Sequence, residues 1–511
     1  MDSHRRIAQS IRHEADSVAM TSRCKDWHCV DDSMKKPKHK PQRVRDPVHN
    51  LIEFGSKQFE STLWRIIETR PFQRLRRIRQ LGFSEFVFPG ATHTRFAHSI
   101  GVFHTARQLM GVIHKYVDAH PERQFKDHQA EHALAAALLH DVGHGMFSHA
   151  FEAIGKEFGW SMARHEQVSQ QIILNSEITE ILNEELGRGY AENVAAIIAQ
   201  GVPDNLYGSV VSSQFDADRL DYMQRDRLMT GVQSSGVDPT WLLANLEVAE
   251  VPLGADETSA GTVETLVLGP KAVQAAESYV LALFHLYPNV YLHKTTRGAE
   301  VLFQAIMRRL VNLYLVGAIS ESGLPTTHPI LKFIEDTKSL DRALELDDSV
   351  FWGVLPMLIV GKDAEIARLA VAIRERKLLK CFDLKEMIDA ALPSKAGEKR
   401  EQRQVKIKVA CETVAASLKE KNPNDRARFL VDQYSRNPYK RFQDSKTPLN
   451  QILIRVGDGP PRDMAEFSPI IGHAETFTIC RVYYFRDDTD ATAVIENEMR
   501  TKLKEIGDAD A

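Results

Sequence analysis

Seven apolar residues, Ala133 to Leu139, run without interruption into His140-Asp141-Val142-Gly143-His144. A segment that is apolar on every side must be buried, so any fold this chain adopts carries the polar doublet at its end into the interior. Neighbouring residues on a helix point about 100° apart, so an adjacent His and Asp meet on one ion only where the helix ends and turns against other elements. The doublet is therefore a candidate site. Alone it is a common dipeptide, and a polar pair that merely ends a helix is the competing reading.

Around it the helical period dominates. Trp64, Ile67, Leu75, Ile78 and Leu81 recur at three-to-four spacing, with Pro71 suited to a first helical turn. Further helices are expected at 96–117, 131–140, 163–184, 191–200, 271–286 and 295–316, then near 364–376, 384–391 and 407–420. Glu247 to Leu253 and Thr262 to Leu268 read as a short hairpin, and Gln451 to Val456 and Phe477 to Phe485 alternate as strands do. The expected class is mainly α: a helical bundle with short β-hairpin insertions and a small C-terminal α+β region. No internal repeat stands out.

At 511 residues the chain exceeds the size of one hydrophobic core, so two or three structural units are expected. Hydrophobic residues at 43% and charged residues at 26% exclude wholesale disorder. No apolar run reaches the roughly 20 residues that cross a bilayer, and the first residues lack the apolar centre of a secretory signal. Five scattered cysteines suit a reducing compartment, so a cytoplasmic location is expected, with a nuclear one left open by the basic run Lys35 to Lys40. Residues 1–42 read as a polar tail that buries too little to order itself. Its Cys24, His28 and Cys29 resemble half a zinc site without the second pair. A net charge of −4 offers no global attraction to nucleic acid, although Arg74, Arg76, Arg77 and Arg79 form a local basic run. That run reads either as a surface helix with acidic neighbours or as a phosphate-binding interface.

The doublet has companions. His98 follows Arg95 by three residues and shares its helical face, and Asp218 stands beside Arg219 in Phe215-Asp216-Ala217-Asp218-Arg219-Leu220-Asp221-Tyr222. Two imidazoles and two carboxylates, from three separate helices, make a mixed N/O set that suits Fe, Mn, Ni, Co or Zn and leaves positions for water and phosphate oxygens.

His98, His140-Asp141 and Asp218, in that order and 42 and 77 residues apart, resemble the H...HD...D signature of the HD superfamily of metal-dependent phosphohydrolases. Asp46-Pro47-Val48-His49, Phe72-Gln73-Arg74-Leu75, Gln80-Leu81-Gly82, Phe88-Pro89-Gly90-Ala91, His140 through His149 and Asp216 through Asp226 are similar to the dNTP triphosphohydrolase branch, which has bacterial and vertebrate members. The resemblance covers about residues 43–320. It implies a catalytic domain there, leaving 321–425 as a helical extension and 426–511 as a C-terminal α+β lobe.

The resemblance also implies roles. His98, His140, Asp141 and Asp218 hold the metal, and Mg accompanies the nucleotide. His144, His149 and His165 surround the α-phosphate, and Arg95, Arg219 and Tyr222 contact the phosphates. An imidazole titrates near physiological pH, so His149 is the preferred proton donor, with Glu152 or Glu166 to hold its tautomer. Gln80 and Asp226 match residues that bind the 3'-hydroxyl, and Leu81 and Tyr291 match residues that crowd C2'. The bland alternatives are core aromatics for Tyr222 and Tyr291 and a surface carboxylate partner for Arg95. Glu68, Gln73 and Arg76 resemble a guanine-reading trio for a GTP or dGTP activator, with Glu where Asp is usual; Arg43, Arg45 and Leu51 do not match the rest of that site. Family members assemble as homodimers or homotetramers. The stretch Phe284 to Lys294 is shorter than its vertebrate counterpart and lacks the arginine that there grips the terminal phosphate. No sterile-alpha-motif domain is expected ahead of residue 43. Three functions compete: a dNTP triphosphohydrolase, an HD nucleotidase or phosphodiesterase on another nucleotide, and a nucleic-acid-binding protein with a secondary HD pocket.

Overall fold

The computed structural model divides the chain into Met1–Lys40 and Pro41–Ala511. It describes residues 40–509 apart from 201, 202, 204, 234, 235, 253–260, 394–397, 423–426, 438, 440–450, 458, 474 and 475. The half zinc site at Cys24, His28 and Cys29 and residues 35–39 of the basic run lie outside the described residues. The boundaries expected at 320 and 425 fall inside the single unit Pro41–Ala511.

The fold is mainly α, and its organiser is the helix Arg95–Asp118. Fourteen of its residues are buried, on more than one face, because two apolar clusters share it. On one side Ile100 and Phe103 pack with Leu138, Leu139, Val168 and Ile172 from the helices Asp127–Leu139 and His165–Leu174. On the other, Val102, Leu109 and Ile113 pack with Leu220, Met223 and Tyr279 from Ala217–Thr230 and Val273–Leu286. A third cluster joins Lys294–Leu315 to Asp348–Ile359 and Ala364–Arg374. The site lies where the first two clusters meet.

Several expected helices are broken. The stretch from Leu63 splits into Gln58–Ile67, Arg70–Arg74 and a tighter turn at Leu75–Arg77, with Pro71 in the first turn of the second piece, where a missing N–H costs nothing. The expected helix 163–184 is two, because Ser176 turns extended and caps Glu177–Leu186 by accepting from Ile178 N. The hairpin Gln42–Asp46/Asn50–Phe54 was not expected, and the helix Ala217–Thr230 was expected only as the third helix bearing a ligand, without bounds. The latter hides because its buried face includes Asp221, Arg225 and Asp226, so no apolar period marks it.

The strands Leu246–Pro252 and Thr262–Leu268 pair as expected, and Leu453–Ile454 and Arg462–Asp463 extend their sheet. A second sheet places Phe477–Tyr484 between Lys380–Asp383 and Leu430–Arg436, all antiparallel, under the helices Arg400–Glu420 and Ala491–Ala509. Its central strand reaches back to the helical part of the chain: Arg481 Nη1 donates to Leu292 O at 2.6 Å and Tyr483 Oη to Lys294 O at 2.9 Å. Among the described residues no helix is long and apolar enough to cross a membrane.

Candidate metal centre

The apolar helix Asp127–Leu139 ends at His140, its C-cap, and Asp141 lies in the turn beyond. The four expected ligands thus come from two helices and a turn, since only His98 and Asp218 are helical. The turn is clamped from three directions. Ser169 Oγ accepts from Gly143 N and donates to His140 O, both at 2.9 Å. Fully buried Arg74 donates Nη2 to Val142 O at 3.0 Å and Nη1 to Leu346 O at 2.8 Å. Gly143 lies so close to Ser169 N and His165 O that a Cβ has no room.

His98 Nε2 is 2.9 Å from Asp218 Oδ1 and 3.7 Å from Asp141 Oδ2. His140 Nε2 is 3.3 Å from Asp141 Oδ1 and 3.6 Å from Asp218 Oδ1. The ring tautomers follow from the other nitrogens. His140 Nδ1 faces Ala137 O at 2.9 Å, so it carries the proton and Nε2 carries the lone pair. That Nε2 is buried and has no hydrogen-bond partner. Two carboxylates facing an orphaned imidazole lone pair fit a cation, and His98, His140 and Asp141 form a group able to hold one. Without it, protons take the role. Burial disfavours a charged His98, but Asp218 and Asp221 outweigh burial and push it up to about 10.

Arg95 is buried and pairs with Asp141, and its Nε donates to Ser148 Oγ at 2.7 Å. Its partner is therefore a buried candidate ligand and not a surface carboxylate. Phe147 and Ser148 hold φ of 51° and 52°, a left-handed conformation that costs a non-glycine residue of order 1–3 kcal/mol and clusters at functional sites.

Three further imidazoles line one side. His144 Nε2 lies 3.2 Å from Asp141 Oδ1, and its ring stacks on His165 with centroids 4.0 Å apart. Burial, then Arg95 and His165, hold His144 neutral. The exposed His149 directs Nδ1 to Glu152 Oε2 at 2.9 Å, and the other oxygen of Glu152 binds His165 Nδ1. Burial opposes the charges on Glu152 and His165, yet hydrogen bonds with His149 and then His165 hold the Glu152 carboxyl down, and the contact with Glu152 raises His165. Of the two carboxylates considered for His149, Glu152 is the one in contact; Glu166 stands 4.0 Å from His165.

A second group forms around Asp226, which meets His93 Nε2 at 2.8 Å and accepts from Tyr291 Oη at 2.7 Å, and the Tyr222 and Tyr291 rings lie 6.4 Å apart. Gln80 N donates to His93 O at 3.1 Å, while Gln80 Oε1 is buried with no partner. Leu81, partly buried, packs against the same cluster as Tyr222 and Tyr291. Arg219 is engaged by Asp216 Oδ2 at 2.6 Å and by Ser213 O.

Of the trio Glu68, Gln73 and Arg76, the last two touch: Arg76 Nε donates to Gln73 Oε1 at 2.8 Å and its guanidinium lies 3.5 Å from the Phe96 ring centre. Glu68 accepts from Trp64 Nε1 instead. The arginine run is no free stripe, because Arg74 is buried, Arg77 pairs with Asp347 at 2.5 Å and Arg79 with Glu85 at 3.8 Å. Sequence reasoning missed Asp221, Ser169 and Arg74 as supports of the centre. Asp221 alone carried a signal, its place one turn after Asp218 on the same helical face.

A mainly helical bundle that gathers a His/Asp centre with imidazoles beside it defines a class. The HD domain family matches residues 95–223, and the HD associated region matches residues 259–322. The chain is 34% identical over 310 residues to Uncharacterized protein YwfO of Bacillus subtilis, which covers 60% of this chain and 64% of that protein. It is 34% identical over 222 residues to Deoxynucleoside triphosphate triphosphohydrolase SAMHD1 of Homo sapiens, covering 38% of this chain and 34% of that one. The matched segments thus span less than two thirds of either relative. A crystal structure of a phosphohydrolase from Bacteroides thetaiotaomicron superposes with a TM-score of 0.65 at 26% identity, covering 87% of this chain and all of that one. The chain thus carries an HD domain and, over the matched segments, is similar to dNTPase-like phosphohydrolases.

Proposed function

We propose that this hydrolase cleaves deoxynucleoside triphosphates to deoxynucleoside and inorganic triphosphate. The observation that carries the reading is the pair of groups gathered with the centre: Arg95 and His144 contact Asp141, with His165 and His149 beside His144, while Gln80, Asp226 and Tyr291 gather about His93. The SAMHD1 relatives carry that activity in their names.

His98, His140, Asp141 and Asp218 would hold a divalent ion, Fe, Mn, Zn, Ni or Co, which when bound supplies Lewis acidity toward water and phosphoryl oxygen. The chain's own groups do the rest. Arg95, fixed by Asp141 and Ser148, holds positive charge where phosphoryl charge develops. His144, kept neutral, and His165 offer hydrogen-bond donors to the same oxygens. His149, open to solvent and oriented by Glu152, delivers a proton to the departing 5'-oxygen. Asp226 accepts from the 3'-hydroxyl, and Tyr291 leaves no partner for a 2'-hydroxyl. Glu68, Gln73 and Arg76 remain the proposed contacts of a GTP or dGTP activator, and a homodimer or homotetramer the proposed assembly.

Turnover of each dNTP with and without GTP or dGTP, products separated by anion exchange, tests the reading. Release of triphosphate that disappears in Asp141→Ala supports it. Stepwise loss of phosphate would identify an HD nucleotidase, and undiminished turnover in Asp141→Ala would refute the assigned centre.

A further inference from the structure

The segment Phe284 to Lys294, which borders the candidate pocket, contains no arginine, yet the strand Leu430–Arg436 ends with one in the same neighbourhood. The guanidinium of Arg436 lies 5.6 Å from the centre of the Tyr287 ring, within the range of a cation–π contact. Its backbone is fixed by pairing with Phe477, whose own ring stacks on Tyr287 at 6.3 Å. Tyr287 in turn meets Tyr291 at 5.3 Å, and Tyr291 meets Tyr222 at 6.4 Å. Arg436 lies within electrostatic reach of Tyr222, and Tyr287 within that of Arg219 and Asp218. One cation from the C-terminal sheet therefore stands against the row of tyrosines, Tyr287, Tyr291 and Tyr222, that neighbours the His/Asp centre.

Its chemical state is what makes it informative. Among the described residues Arg436 forms no ion pair, and its side chain is exposed, whereas Arg95 is paired with Asp141 and Arg219 with Asp216. Its polar contact is with the Tyr434 hydroxyl. An arginine held by an aromatic face and paired with no carboxylate keeps donors for bidentate binding of a phosphate.

We propose that Arg436 receives the outermost phosphate of a polyphosphate substrate whose inner phosphate lies at the His/Asp centre. The inference rests on the triphosphohydrolase reading for its orientation and names the residue that discriminates triphosphates from shorter phosphoesters. It also gives the C-terminal sheet a part in substrate selection.

Inorganic triphosphate is the probe, titrated calorimetrically into full-length metal-loaded wild type, Arg436→Ala and Arg436→Lys, with orthophosphate as the comparison. Loss of one charge-assisted fork predicts triphosphate binding weaker by roughly 10- to 100-fold in Arg436→Ala, partial recovery in Arg436→Lys, and little change for orthophosphate. Equal affinity of wild type and Arg436→Ala for triphosphate, equal loss for both anions, or no triphosphate binding by wild type overturns the proposal. Because binding is read without turnover, the two readings separate. Wild type that cleaves no dNTP while Arg436→Ala loses triphosphate affinity sinks the dNTPase reading alone. Wild type that cleaves dNTPs while Arg436→Ala binds triphosphate unchanged sinks this one alone.

Discussion

Asp221 Oδ2 lies 2.8 Å from Nδ1 of His98, which leaves Nε2 of the same ring facing Asp218 at 2.9 Å. The carboxylate thereby sets the tautomer in which His98 can act as a ligand. Asp221 is itself fixed by Arg225 at 2.8 and 2.9 Å and by His49 at 2.7 Å, and Arg225 by Asp46 at 2.8 Å. Gly101 lies so close to Asp221 and Arg225 that any larger residue would displace them. In Asp221→Asn an amide nitrogen competes for the place of the accepting oxygen. Metal affinity is expected to fall roughly 10- to 100-fold, read as metal content after dialysis against graded chelator. Unchanged retention would show that Asp221 only packs.

The turn that carries the doublet has an equally local test. A methyl group at position 143 collides with Ser169 N and His165 O, and it disturbs the bridge by which Ser169 ties Gly143 N to His140 O. Overpacking of this kind costs about 1–3 kcal/mol. Gly143→Ala is expected to lower the urea midpoint and, by shifting His140, to lose metal at chelator concentrations the wild type withstands. A variant less stable but fully metal-retentive would separate the packing role of Gly143 from any role in the centre.

Much of this was legible in the sequence, and the remainder was hidden for physical reasons. The helical class followed from apolar spacing, and the meeting of His98, His140, Asp141 and Asp218 from dense polar motifs at the ends of apolar helices. The extent of Ala217–Thr230 escaped because its inner face buries Asp221, Arg225 and Asp226; the first two pair with each other and all three with partners 100 or more residues away, which leaves no apolar period. Arg74 was read as part of a basic run because nothing local announces that its guanidinium is spent on the carbonyls of Val142 and Leu346. The left-handed backbone at Phe147 and Ser148 left no trace, since neither is the glycine that such a conformation usually selects.

The proposed sugar discrimination is assigned to Tyr291. Its hydroxyl is committed to Asp226 at 2.7 Å, and its ring packs against Tyr222 and Tyr287. If that ring occupies the space beside C2', Tyr291→Ala opens it and leaves Asp226 in place. The ratio of kcat/KM for dGTP over GTP, of order ~10² for a pocket with no partner for the extra hydroxyl, is expected to fall toward unity. A ratio unchanged by the substitution would move the discrimination to another residue.

Asp348 gives the fold a pH dependence that can be isolated. Its carboxyl accepts from Phe147 N at 2.7 Å and Arg79 N at 2.8 Å, joining the two loops that lead to His149 and to Gln80. Burial, reinforced by the charge of Asp347 and opposed by those two N–H groups and Arg79, pushes it up to about 7. Below about pH 4 the folded and unfolded carboxyls are both protonated, and the contribution to stability is complete. As pH rises the unfolded carboxyl ionises first, so stability is lost progressively until the folded group ionises near 7. Three units at roughly 1.4 kcal/mol each bound the loss at about 4 kcal/mol. Asp348→Asn cannot ionise, but its single carbonyl oxygen serves one of the two N–H donors, which costs about 1–3 kcal/mol. The wild type is therefore expected to exceed the variant in unfolding free energy at pH 5 and to lose that advantage by pH 8. Urea melts of both proteins at the two pH values decide it, and a difference that stays constant would show that Asp348 is ionised throughout.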